Sequence, residues 1–128
     1  MQPLDLALNY LHLRGESDVD RHQATPGFWE DLPNRADLHE GRLVVPSRFD
    51  GDWPKWEVHH QGEELVVLLE GEFDLLLEGN GVQERVPLRR AGDTAIVPRG
   101  VWHTADVPIR ASALFVTPGA WETEHRPR

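Results

Sequence analysis

The sequence predicts an all-β domain, a sandwich or barrel of roughly eight or nine short strands. Two observations carry this. From Arg42 onward, apolar runs of strand length alternate with turn residues, and helical periodicity is scarce. Ten prolines and eleven glycines supply the tight turns that such a domain needs. The 128 residues suit one domain, large enough to bury a core without disulfides or a structural metal.

Residues 1–41 are predicted to form an N-terminal arm packing on a barrel of residues 42–117, followed by a loosely held tail at 118–128. In the arm, Leu6, Leu8 and Tyr10 share the parity of a strand, whereas Leu4, Leu8 and Leu11 suit a helical face. An extended arm is favoured, because Gly15 and the polar run Glu16 to Arg21 end the segment early. Pro26 to Leu32 reads as a helical turn stopped by Pro33. Strands are expected from Leu43 to Phe49, and from Trp53 to His59 with an interruption at Pro54. His60 to Glu63 forms a turn, Glu64 to Glu70 a dense β run, and Gly71 turns it. Phe73, Leu75 and Leu77 mark a half-buried strand, which Asn80-Gly81 joins to Val82–Leu88 as a hairpin. Thr94–Val97, Val101–Val107 and Ala111–Thr117 complete the set. The apolar strand Leu65 to Leu69 needs cover on both faces.

Composition narrows the function. There is no cysteine, which excludes thiolate nucleophiles, zinc ribbons and iron–sulfur sites and suits a reducing cytoplasm. Met1 to Ala7 has neither a basic start nor a long apolar run, so it does not read as a signal peptide. The longest apolar stretch, Leu65 to Leu69, is too short to span a bilayer. With a net charge of −9 and no basic patch, neither nucleic acid nor anionic membrane is an expected partner. No serine sits in a nucleophile elbow, and no glycine-rich loop is built to cradle phosphate.

The chemistry gathers in two stretches, Trp56 to Gly71 and Gly92 to His103. Side chains two apart on a strand share a face, so Glu57 and His59 point together. If a hairpin closes at His60 to Glu63, Glu64 returns beside His59. His103 shares parity with Val101 and Ala105 on a later strand. Two imidazoles and a carboxylate form a facial triad suited to Fe, Mn, Ni or Zn as the divalent ion. Glu57 could be a fourth ligand or a general base. Trp56 and Trp102 fall on the opposite face, Trp53 is placed to line a pocket mouth, and Arg99 reads as a solvated turn residue. His12, His22, His39 and His125 have no partner spacing and read as surface residues.

These stretches resemble the two motifs of the cupin superfamily. The first runs Gly-x5-His-x-His-x3,4-Glu-x6-Gly; here Glu57-x-His59-x4-Glu64-x6-Gly71 follows it, with Gly51 upstream. The second runs Gly-x5-Pro-x-Gly-x2-His-x3-Asn; Gly92, Pro98, Gly100 and His103 match, and Val107 replaces the final Asn. The resemblance implies a double-stranded β-helix, the cupin jelly-roll barrel, with a pocket at one end. It implies His59, Glu64 and His103 as metal ligands, with Glu57 in the place of the missing first His. A register through His60 would put Val58 in a ligand position, so His60 is expected to face solvent. The family's range implies a dioxygenase, isomerase, decarboxylase or lyase acting on a small organic molecule, or else a metal-free binding or sensor domain. A homodimer is implied by the same likeness.

Overall fold

The densest β-forming stretch becomes a single strand, β5 (Glu64–Gly79). The computed structural model, which describes residues Met1–Arg128, shows why. Val66 and Leu68 are buried on even positions, Phe73, Leu75 and Leu77 on odd ones. Keeping both sets inward requires one extra residue between them. Gly71, at φ +80°, lies where the pairing register shifts. A bulge there bends the strand and changes its phase without ending it. A Cβ at this position would collide with the carbonyl oxygen of Arg110. The turn expected at Gly71 is therefore a bend inside β5.

The same bend unites two predicted strands. Val101–Val107 and Ala111–Thr117 are one strand, β8 (Trp102–Pro118). It runs antiparallel to β5 along nearly its whole length, from Leu65↔Val116 to Glu78↔Trp102. This folded β5–β8 ribbon is the frame. β6 (Val82–Leu88) returns from the Asn80-Gly81 hairpin, where both residues have positive φ. β7 (Thr94–Val97) pairs with the first half of β5, and β3 (Arg42–Phe49) with the second half of β8. β4 (Lys55–Val58) meets β8 at Glu57↔His103.

The hairpin expected at His60 to Glu63 is absent. β4 pairs with β8 and with β9 (Glu124–Pro127), whereas β5 pairs with β6, β7 and β8. The connection joins two strands that do not pair with each other. The tail is also a strand: β9 zips along β4, and Arg128 bonds the carbonyls of Trp53 and Ala105 and the Asp106 carboxylate. The loosely held tail is corrected accordingly.

The polar run after Gly15 does not end the arm. Val19–Gln23 forms β2, a hairpin with β1 (Asn9–Leu13), and β1 extends the sheet beside β3. The helical turn α1 (Phe28–Asp31) continues into a 3₁₀ turn containing Pro33, with Phe28, Leu32 and Leu38 buried against Leu43 and Val45. His12 is buried, not exposed, and its Nε2 bonds the Glu40 carbonyl at 2.7 Å. The main core lies inside the ribbon, where Phe73, Leu75, Ala105, Ala113 and Phe115 pack together. The result is a rolled antiparallel jelly roll of nine strands whose sheet does not close on itself.

Candidate metal centre

Three segments deliver four side chains to one end of this barrel. Glu57 lies on β4 opposite His103 of β8, His59 follows β4, and Glu64 begins β5. His59 Nε2 stands 3.0 Å from Glu64 Oε2, and His103 Nε2 3.1 Å from Glu64 Oε1. Glu57 Oε1 lies 3.3 Å from His103 Nε2 and 3.6 Å from His59 Nε2. One atom from each residue falls within 4.8 Å of the others. The structure thus brings together all four residues predicted from the sequence. His60 is exposed and reaches Glu124 at 3.0 Å.

Each donor is aimed from behind. The Val101 carbonyl lies 3.2 Å from His103 Nδ1 and accepts its proton, so a neutral His103 carries its lone pair on Nε2. Thr123 Oγ1 holds His59 Nδ1 at 2.9 Å. Thr117 Oγ1 donates to Glu64 Oε2 at 2.6 Å. The inner atoms are a different matter. His59 Nε2, His103 Nε2 and Glu64 Oε1 are buried, and none has an aligned hydrogen bond. Buried polar atoms rarely stay unsatisfied. Lone pairs converging on one point, each fixed by an outer partner, fit a divalent ion bound by imidazole and carboxylate.

Charge follows from the same closeness. Burial alone would lower the His59 and His103 pKa values, but the Glu57 and Glu64 carboxylates outweigh it. They raise His59 to about 9 and His103 to about 10. Burial opposes ionisation of Glu57 and Glu64, yet the facing imidazoles hold both below the usual carboxylate range. Without a metal, the cluster is a self-neutralised set of two imidazoliums and two carboxylates.

Glu57, His59 and Glu64 of this cluster line a cavity of about 540 Å³, and His103 lies buried behind them. Leu43, Val45, Phe49 and Phe115 form apolar walls, and Trp29, Trp53, Thr123 and His125 also line the cavity. Trp56 and Trp102 face away and sandwich Arg126, whose guanidinium lies 5.2 and 4.7 Å from their rings. Sequence reasoning missed three contributors. Thr117 shares the inward parity of Ala113 and Phe115, a signal that could have found it. Thr123 and His125, whose Nε2 is 3.5 Å from Glu57 Oε2, carry no local signal, because the pairing of β9 brings them in.

A family model described as the cupin domain matches residues 50–117. Comparison with curated proteins gives no match. Among solved structures, a cupin-2 domain-containing protein from Shewanella frigidimarina is similar at 18% identity, over 60% of this chain and 70% of that one, with a TM-score of 0.51. Hydroxypropylphosphonic acid epoxidase from S. wedmorenis, in complex with fosfomycin, is similar at 21% identity, over 59% of this chain and 43% of the epoxidase, with a TM-score of 0.51. The same enzyme in its Fe(II) form with (S)-1-HPP gives 21% identity over 59% of this chain and 42% of that one, again with a TM-score of 0.51. The chain therefore spans less than half of the epoxidase, and at these identities the likeness is one of fold. The family model covers more than half of the chain, and the rolled sheet agrees with it: this chain belongs to the cupin domain family.

Proposed function

We propose that this chain binds one divalent first-row metal ion through His59, Glu64 and His103 and acts on a small organic molecule in the cavity above them. The observation that carries this reading is the convergence of three buried, unsatisfied donor atoms, each fixed by an outer hydrogen bond. Fe, Mn, Ni and Zn all suit this donor set. When bound, such an ion polarises a substrate oxygen or activates dioxygen. The protein's own residues do the rest. The apolar walls exclude water, Thr117 and Thr123 hold two ligands in line, and Glu57 either joins the ligand set or carries a proton at its Oε1.

A second reading is favoured by the charge balance. The four groups neutralise one another without an ion, which suits a metal-free binding or sensor cupin. Metal content separates the two. Untagged protein should carry about one equivalent, lost in His103→Ala. Metal-free protein that folds unchanged after His59→Ala and His103→Ala would establish the second reading.

The chain works as a homodimer in the cytoplasm. Leu65, Val67, Ile96, Leu114 and Val116 sit opposite one another on the outer sheet face, and Leu69 and Ile96 are 46% and 58% exposed. An apolar face of this kind supports pairing with a second copy. The cysteine-free composition supports the compartment.

A further inference from the structure

The chain has one lysine, Lys55, and it lines the cavity. It precedes Glu57 by two residues on β4, so both side chains leave the same face of the strand. Their Cα atoms are then about 6–7 Å apart along it. No carboxylate lies within ion-pair distance of the Lys55 ammonium, and no side-chain hydrogen bond engages it. No guanidinium lines the cavity. Arg42 and Arg48 share the strand parity opposite to that of Leu43, Val45 and Phe49, and Arg126 is held between Trp56 and Trp102.

The charge of the cluster is settled within itself. Each carboxylate lies 3.0–3.6 Å from both imidazole Nε2 atoms, so its charge is engaged inside the cluster. Lys55, exposed on the lining, therefore leaves the cavity with one positive charge. Aromatic walls line the same cavity. Phe49, Trp53 and Phe115 have ring centroids 5.2–5.9 Å apart in tilted or edge-on contact. Such rings accept another flat apolar group.

From this arrangement we infer that the substrate or ligand is an aromatic monocarboxylate. Its ring lies against Phe49, Trp53 and Phe115, its carboxylate meets Lys55 on the exposed side of the cavity, and its other end faces His59 and Glu64. The inference rests on the reading of this cavity as the small-molecule site. A charge-assisted contact of this kind corresponds to about a tenfold preference for the acid over its neutral isostere.

The test uses the full chain loaded with Zn(II), and 3-phenylpropanoate, 3-phenylpropanamide and 3-phenylpropylamine as calorimetric probes. The acid should bind about tenfold more tightly than the amide, and the amine most weakly. Lys55→Met should abolish the preference, and Lys55→Arg should keep it. Equal binding of acid and amide, absence of binding by all three, or a preference that survives Lys55→Met would overturn the inference. Bound zinc is measured on the same samples. Zinc retained without an acid preference defeats this inference alone. An acid preference without zinc defeats the metal reading and leaves this one standing.

Discussion

Thr117 aims Glu64. Its hydroxyl is buried and donates at 2.6 Å to the carboxylate oxygen that faces His59. Thr117→Val keeps the shape and removes the donor. The loss should cost about 1–3 kcal/mol of stability and lower metal affinity about 10–100-fold. Thermal melts and a zinc titration of the same variant check both. A second expectation concerns pH. In the metal-free chain His59 and His103 keep their protons to about 9 and about 10, against 6.5 when unfolded. A raised pKa stabilises the fold fully below the unfolded value and is lost as pH rises through the folded one. Glu57 and Glu64, held below their ordinary 4.5, stabilise above that value and lose their contribution as pH falls through the depressed ones. In a chelator, Tm should therefore be highest between about pH 5 and 6.5 and fall steadily toward pH 10. Glu57→Gln should flatten the alkaline fall; a wild-type profile flat from neutral pH to pH 10 would refute the assignment. At this scale the sequence was informative wherever strand parity or motif spacing applied, as for His59, Glu64 and His103. It misplaced His12, read as a surface residue but buried, and missed the approach of His125 to Glu57, because the pairings of β2, β3 and β9 lie outside any local pattern.

Element by element, the two least conspicuous segments matter most. Gly71 holds β5 and β8 together through a bend at φ +80°. Gly71→Ala adds a Cβ that meets the Arg110 carbonyl and forces a left-handed alanine. We expect a loss of more than about 1 kcal/mol, read from urea midpoints. The β9 strand supplies Thr123 and His125 to the site and pairs with all four residues of β4. Truncation after Glu122 should leave the core signal in near-ultraviolet circular dichroism largely intact and weaken zinc binding about tenfold or more. Unchanged zinc affinity would show that β9 does not position His59. Strand positions from Arg42 to Thr117 were readable because alternation reports burial directly. Strand continuity and partnership were not. Whether a glycine ends a strand or bends it depends on what lies across from it, here Arg110. Whether β4 pairs with its chain neighbour or with β9 depends on residues 124–127, far away in the sequence.

Across the whole molecule, the jelly roll follows from alternation and turn spacing, because a long two-faced sheet must roll to bury one face. The other face carries the exposed apolar residues Leu69 and Ile96, which the proposed pairing would cover. Ile96→Lys combined with Leu69→Glu should convert a concentration-dependent dimer into a monomer in light scattering, with the site and its metal content unchanged. A monomeric wild type at all concentrations would refute pairing through this face.

The strand pairing of β4 also sets a schedule. Glu57 meets β8 at a single residue pair, and the remaining edge of its strand is zipped to residues 124–127. During synthesis the β5–β8 ribbon can collapse early, but this edge of β4 stays open until residues 124–127 have been made. A partly made chain is therefore a folded frame with an open door beside Glu57.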